Sequence, residues 1–121
     1  MLRAIFASAV LLSLSAAAAQ AADAVRGGER FKIMCATCHA VDPAQKKMGA
    51  NLKGVVGRKA GSVEGATYSA AMKAAGWTWD KEKLEAFLAD PKKSVPGTTM
   101  MLGVSSAADR ADIIAYLETV K

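Results

Sequence analysis

The sequence of 121 residues leaves room for one domain and no second. Its formal charge of +5, from 16 Lys and Arg against 11 Asp and Glu, predicts an interaction partner or surface that is acidic on average. Nucleic acid is disfavoured as that partner because the chain carries an export signal and no basic stripe interleaved with aromatic residues. Aromatic residues make up 6% of the chain, so a bound group with a large apolar surface would complete the core of so small a domain.

The first residues have the composition of a secretory signal peptide. Arg3 supplies a short positive start, residues 4–19 are almost wholly apolar or small, and Ala19-Gln20-Ala21 fits the preference of signal peptidase for small residues. We therefore predict a signal peptide over residues 1–21, a mature domain over residues 22–121, and export to the periplasm. An uncleaved membrane anchor is the alternative, which is disfavoured because a spanning helix needs about 20 apolar residues and this run is shorter.

A short helix and a long loop are predicted next. Residues 27–35 are expected to form a helix in which Phe31 and Cys35 lie one turn apart on the same face. After His39 the apolar residues show no sustained periodicity, and turn-forming residues recur along the chain. These residues are Pro43, Gly49, Asn51, Gly54, Gly57, Gly61 and Gly65. So long a loop is uncommon in a compact domain unless it wraps something.

Two helices are predicted in the second half of the chain from their capping residues. Ser69 can cap a short helix over residues 70–75. Asp80 can cap a helix over residues 81–89, which has apolar residues at i, i+3 and i+4. Pro91 is expected to end this helix.

The C-terminal part is predicted to be a loop followed by a helix. The loop covers residues 92–104, and the capping-box pattern of residues 106–109 then opens a helix with one apolar side. Its apolar residues are Ile113, Ile114, Leu117 and Val120. In no segment do apolar and polar residues alternate as they do in a β-strand. We therefore predict an all-α protein with helices at both ends and loops in the middle.

One motif carries chemistry. Residues 35–39 read Cys-Ala-Thr-Cys-His, the Cys-x-x-Cys-His pattern of c-type haem attachment. One helical turn places the two thiols where they can add to the two vinyl groups of a porphyrin, and the residue after the second cysteine then lies below the iron. Imidazole is a good iron ligand, and His39 is the only histidine in the chain. We predict one haem c, bound covalently through Cys35 and Cys38, with His39 on the iron.

Two other interpretations of the motif were weighed. A zinc site would need a fourth ligand, and the sequence offers no further Cys or His. A thiol–disulfide exchange site also uses Cys-x-x-Cys, but it normally opens a helix in a βαβ fold, and strand signals are missing here. Haem attachment is favoured because the motif, the export signal and the single histidine coincide.

Methionines are the candidates for a sixth iron ligand. After the first residue they are Met34, Met48, Met72, Met100 and Met101. Met34 and Met72 are expected to fill core gaps, since they fall in predicted helices. Met100 and Met101 lie in a loop that Pro and Gly stiffen, where an exposed thioether would be prone to oxidation, so a function is expected for one of them. A thioether opposite histidine raises the reduction potential and blocks oxygen and peroxide, which favours electron transfer over catalysis.

The order of its motifs makes the sequence similar to the class I cytochrome c family, the mitochondrial-type and short bacterial soluble cytochromes c. The matches run over residues 25–121. Besides the attachment motif they are Gly27, Phe31, Trp79 and the segments 51–54, 57–61, 67–69, 90–93, 96–100 and 113–117. The resemblance implies the class I cytochrome c fold, in which the N- and C-terminal helices cross and loops enclose the haem.

The resemblance also assigns residue roles. It implies that Met100, and not Met101, is the second axial ligand of the iron. It implies that Arg58, Tyr68 and Trp79 give hydrogen bonds to the haem propionates, which would be costly to bury without partners. The residues implied at the crossing of the terminal helices are Gly27, Phe31, Ile113 and Tyr116.

Four positions depart from the family pattern. Ala50 replaces a proline whose carbonyl usually accepts a hydrogen bond from the proximal imidazole, and alanine keeps that carbonyl. Phe87 replaces a tyrosine near the methionine sulfur. Met72 replaces an asparagine near the inner propionate, and Leu102 replaces an aromatic residue. Polar or aromatic groups near the haem thus become apolar.

The function implied is that of a monomeric, non-enzymatic carrier of single electrons. Its partners would be membrane redox complexes (a cytochrome bc-type donor, and a terminal oxidase of a respiratory chain or a photosynthetic reaction centre as acceptor) or a periplasmic dehydrogenase. Lys46, Lys47, Lys92 and Lys93 could surround the exposed haem edge and steer acidic partners. The alternatives are a dedicated cytochrome subunit of a periplasmic dehydrogenase, and an open-site haem enzyme or sensor.

Overall fold

The computed structural model describes residues 21–121. The predicted signal peptide therefore lies, but for Ala21, outside the described residues. The described chain forms five helices: α1 (Ala24–Met34), α2 (Ala70–Lys73), α3 (Lys81–Ala89), α4 (Pro91–Ser94) and α5 (Ala107–Thr119). Strand-like pairing within residues 21–121 is limited to one antiparallel bridge between Lys59 and Thr78. The predicted all-α class is confirmed.

Side-chain caps set the beginnings of the helices. The caps predicted from the sequence are present at Ser69, Asp80 and Ser106, each of which accepts a hydrogen bond from a first-turn amide. Helix α1 begins three residues before the predicted start, because the Asp23 carboxylate accepts from two first-turn amides.

Pro91 has a second role besides the one predicted. Helix α3 ends at Ala89 as expected, but Pro91 opens α4 instead of a loop. Proline is tolerated at the first position of a helix because the amide that it lacks has no partner there. The Asp90 carboxylate completes this start by accepting from the Lys93 amide at 3.2 Å. The predicted loop over residues 92–104 therefore begins with a helical turn.

The terminal helices α1 and α5 cross in close contact, as the family resemblance implied. A β-carbon added at Gly27 would lie 1.8 Å from the backbone oxygen of Asp112, so only glycine lets the two backbones approach this closely. The rings of Phe31 and Tyr116 pack beside the crossing with their centroids 5.4 Å apart. Ile113, 1% exposed, is the most deeply buried large side chain of the described residues.

An ion pair with a buried carboxylate joins the start of α1 to α5. Asp112 is 2% exposed and accepts from Arg26 Nε at 2.6 Å and from the Asp23 amide at 2.8 Å. The hydrogen bond from Arg26 is the main reason that the pKa of Asp112 lies below its usual range. This carboxylate therefore connects the first residues of the described domain to the C-terminal helix.

The rest of the core lies between α3, α5 and the loops. Leu84, Phe87 and Leu88 of α3 pack with Ile113 and Leu117 of α5, which forms one wall of an internal cavity. None of the helices within residues 21–121 has the length and apolar content that a membrane crossing requires.

Candidate functional site

A single cavity brings together all seven site residues predicted from the sequence. Its volume is about 460 Å³, and its lining is mainly apolar. The predicted residues that line it are Cys35, Cys38, His39, Arg58, Tyr68, Trp79 and Met100. Among the described residues that form this lining there is no Asp, Glu or Lys, so the cavity suits a large, flat apolar group.

The attachment motif begins where α1 ends. Cys35 is the C-cap of α1, and the amides of Cys35 and Ala36 both donate to the Phe31 carbonyl, at 2.8 and 2.9 Å. The His39 amide then donates to the Cys35 carbonyl at 2.9 Å, which makes one more turn. This turn places the two cysteines and the histidine at the same cavity wall. Both thiols are free and partly buried.

The environment of Cys35 argues against thiol–disulfide exchange. Burial raises the pKa of its thiol to about 11. A reactive cysteine needs a lowered pKa, since the thiolate is the nucleophile. Within residues 21–121 no three or more His, Cys, Asp or Glu side chains are grouped so that they could hold a metal ion.

The imidazole of His39 is held in one orientation by the neighbouring loop. Its Nδ1 lies 2.7 Å from the Ala50 carbonyl oxygen, and a carbonyl can only accept, so Nδ1 carries the proton. The Nε2 lone pair is then available for a metal. The bond expected at this position is therefore present, although alanine stands where the family has proline.

The loop that carries Met100 is anchored at both ends. The Thr98 amide donates to the Val95 carbonyl at 3.0 Å, and the Met100 amide donates to Thr98 Oγ1 at 3.2 Å. At the other end the Val104 amide donates to the Leu88 carbonyl at 2.7 Å. These bonds, one of which is to a residue of α3, hold the Met100 loop at the cavity.

Backbone pairing brings Arg58 and Trp79 together across 21 residues of sequence. The Trp79 amide donates to the Arg58 carbonyl at 2.9 Å, and the Gly57 amide donates to the Trp79 carbonyl at 2.7 Å. Tyr68 joins them at the cavity lining, where its hydroxyl accepts from the Val63 amide at 3.1 Å. A hydroxyl that accepts in this way keeps its own proton for another acceptor.

Arg58 tests whether the cavity fits a haem. Its Nη1 donates to the Lys53 carbonyl at 2.9 Å, but its Nε is buried without a partner. Burial also lowers the pKa of this guanidinium, because no carboxylate compensates the charge. A buried donor on a partly buried cation at the lining of an apolar cavity fits the carboxylate of a propionate.

Sequence reasoning missed two contacts of the site. A β-carbon at Gly49 would lie 2.5 Å from Cε1 of His39, so glycine is required behind the imidazole. Lys47, expected to belong to a steering ring, donates through Nζ to the Ala36 carbonyl inside the attachment motif. The adjacency of Gly49 to Ala50 could have indicated the first contact, whereas no sequence pattern indicated the second.

The expectation for Met34 was wrong. Met34 was expected to fill a gap in the core, yet it is 44% exposed at the end of α1. Leu102, which stands where the family has an aromatic residue, is 78% exposed. By contrast Phe87 and Met72, the other apolar replacements, line the cavity with Phe87 6% exposed.

Comparison with known proteins agrees with this geometry. A family model described as Cytochrome c matches residues 24–121. The chain belongs to the cytochrome c family. It is 48% identical over 107 residues to cytochrome c2 of Rhodomicrobium vannielii, covering 87% of this chain and 85% of that protein.

Two further relatives extend the comparison. The chain is 46% identical over 99 residues to the cytochrome c-type cyt cy of Rhodobacter capsulatus, covering 81% of this chain but 49% of that protein, so it spans about half the length of this relative. The solved structure of cytochrome cH from Methylobacterium extorquens is similar with a TM-score of 0.74 and 46% identity, covering 80% of this chain and 98% of the other.

Family membership settles the cofactor and the kind of activity. As a member of the family, this protein carries one covalently attached haem c. Cys35 and Cys38 occupy the positions of the attachment motif. Its function is that of a mono-haem electron carrier, and the predicted class I cytochrome c fold is confirmed.

Proposed function

We propose that this cytochrome is a periplasmic shuttle for single electrons, with His39 and Met100 as the two axial ligands of its iron. The observation that carries the proposal is that an imidazole with a free Nε2 and the thioether of an anchored loop line one cavity together with both thiols. Cys35 and Cys38 bind the haem through thioether bonds.

The protein keeps its ligands in place while the charge changes. When bound, the haem iron supplies a one-electron couple. The hydrogen bond to Ala50 holds His39, and the bonds at Thr98 and Val104 hold the Met100 loop, so neither ligand needs to move between oxidation states. With Met100 and His39 both holding the iron, no position would be left for oxygen or peroxide, which supports a carrier and not an enzyme.

Arg58, Tyr68 and Trp79 bind the propionates in this proposal. The unpaired Nε of Arg58 supports its part, and the Tyr68 hydroxyl has a proton left to donate. Trp79 is 6% exposed and lines the same cavity. These three groups stabilise the carboxylates away from water.

The location and the partners are inferences that rest on the sequence and on the relatives. We infer that residues 1–21 are a signal peptide and that the mature domain works in the periplasm as a monomer. There it accepts electrons from a cytochrome bc-type complex or a periplasmic dehydrogenase and passes them to a terminal oxidase or a reaction centre. The bacterial relatives named cytochrome c2 and cytochrome cH support this setting.

Spectroscopy and mass spectrometry of the purified protein test the proposal together. We expect low-spin, six-coordinate iron, with a weak sulfur-to-iron charge-transfer band in the oxidised protein. We also expect a mass equal to residues 22–121 plus one haem. High-spin iron would favour the open-site enzyme or sensor, and co-purification with one dehydrogenase at fixed stoichiometry would favour the dedicated subunit. The variant Met101→Leu should keep the band, and Met100→Leu should remove it.

A further inference from the structure

The methionines of the described chain are concentrated in one place. Met34, Met48, Met72, Met100 and Met101 are the methionines of residues 21–121, and all five line the cavity. They come from α1, from two loops and from α2, so the tertiary structure and not sequence proximity gathers them.

These five side chains fall into two groups by their exposure to solvent. Met48, Met101 and Met34 are exposed by 81%, 58% and 44%, whereas Met72 and Met100 are only partly exposed. We call the first three the rim methionines. The rim methionines line the same cavity as Met100 and are more exposed to solvent than it is.

Exposed thioethers on a globular protein are a chemical liability. An oxygen-donating oxidant such as hypochlorous acid converts a thioether into a sulfoxide: the sulfur loses two electrons and gains the oxygen, and chlorine leaves as chloride with release of a proton. Susceptibility follows exposure, and the product is reversible by sulfoxide reductases. The same reaction at Met100 would replace the thioether that we propose as an iron ligand.

We propose that the rim methionines are sites of reversible oxidation that intercept fast oxidants and so protect Met100. This rests on the proposed ligand role of Met100. A rim sulfoxide changes only an exposed side chain, whereas a Met100 sulfoxide changes the ligand set.

The first test measures the order of oxidation. The oxidised haem-loaded protein is titrated with less than one equivalent of hypochlorous acid per thioether, and each methionine is followed by peptide mass spectrometry. We expect sulfoxide at Met48, Met101 and Met34 before Met72 and Met100, with the sulfur-to-iron band kept until the rim is consumed. Oxidation of Met100 at the same dose as the rim would contradict the proposal.

The second test removes the rim with isosteric changes. In the variant Met34→Leu/Met48→Leu/Met101→Leu we expect a several-fold lower dose of hypochlorous acid to oxidise Met100 and abolish the band. An unchanged dose would overturn the proposal.

A control variant tests whether the position of the exposed thioethers or only their number protects Met100. Adding Val25→Met and Ile33→Met to the triple variant restores two of the three exposed thioethers, on α1, at positions 78% and 70% exposed that do not line the cavity. We expect Met100 in this variant to be oxidised at the same low dose of hypochlorous acid as in the triple variant. Recovery of the native dose would overturn the proposal, because the number of exposed thioethers and not their position at the cavity would then protect Met100. A native protein that lacks the sulfur-to-iron band would instead refute the proposed ligand, while the mass spectra would still report the order of oxidation.

Discussion

Gly49 packs so closely against His39 that a β-carbon on it would lie 2.5 Å from Cε1 of the ring and 2.7 Å from Nδ1. The added β-carbon would also lie 2.8 Å from the Cys38 carbonyl oxygen, which already accepts a hydrogen bond from the Gly49 amide. Because this hydrogen bond fixes the Gly49 backbone beside the imidazole, the ring orientation depends on the absence of a side chain at residue 49.

Gly49→Ala should displace the imidazole and weaken its bond to Ala50. We expect a destabilisation of about 2 kcal/mol from overpacking and a lower yield of low-spin haem protein, measured by denaturant unfolding and by the visible spectrum. Ala50→Ser is the control, because it keeps the accepting carbonyl and should leave the spectrum unchanged.

Arg58→Gln should lower the reduction potential. Removing a cation beside the haem favours the oxidised iron, by an interaction on the order of 1 kcal/mol for a partly screened charge, which voltammetry of the loaded protein would detect. An unchanged potential would remove Arg58 from the propionate site.

Gly27→Ala should separate the terminal helices. The added carbon would lie 1.8 Å from the Asp112 carbonyl oxygen, which is backbone, so we expect a loss of about 3 kcal/mol or more by thermal or denaturant unfolding. Gly28→Ala makes the same chemical change, but it meets the Tyr116 ring at 3.2 Å. Its steric cost is offset by up to about 1 kcal/mol of helix propensity, so a near-neutral effect is expected.

Asp112 should make stability fall in acid. Its pKa in the folded protein is lowered by Arg26 and by the Asp23 amide, so its contribution is present above the unfolded pKa of about 4 and is lost as the pH falls through the lower folded value. Asp112→Asn should therefore be less stable at pH 7 and show a flatter acid limb in unfolding free energies measured against pH.

Asp109→Asn serves as the control for this pH dependence. Asp109 lies on α5, as Asp112 does, and pairs with Arg30 of α1 at 3.1 Å. Asp109 is more exposed than Asp112, so its loss should cost less stability and leave the acid limb in place. An acid limb that is equally steep in Asp112→Asn would show that another carboxylate is responsible.

Electron transfer to an acidic partner should slow as salt rises. Lys92 and Lys93 are exposed on α4, whose Pro91 Cδ lies 3.2 Å from the β-carbon position of Gly103 at the cavity lining. Lys92→Glu/Lys93→Glu should reduce the second-order rate roughly tenfold at low salt and flatten its salt dependence.

The control for steering carries the same change of charge elsewhere. Lys32 and Lys121 are exposed and do not line the cavity, so Lys32→Glu/Lys121→Glu should have the smaller effect. Equal effects of the two variants would mean that net charge, and not a docking face, sets the rate.

Local chemistry was readable from the sequence alone. The capping residues Ser69, Asp80 and Ser106 predicted helix starts that the structure shows, because a cap is an interaction between near neighbours in the chain. The attachment motif predicted the cofactor for the same reason, since thiol and imidazole lie within one turn. The helical turn that begins at Pro91 was missed, because the residues around this proline allow both an end and a beginning of a helix.

Contacts between distant segments were decided by the tertiary structure. The unpartnered Nε of Arg58, the close approach of Gly49 to His39 and the exposure of Met34 all depend on where remote backbone lies. The sequence by itself determined which groups can bind a haem. Only the folded chain decided which of them share one cavity and which methionines stand at its mouth, because burial and distance are properties of packing between segments far apart in the chain.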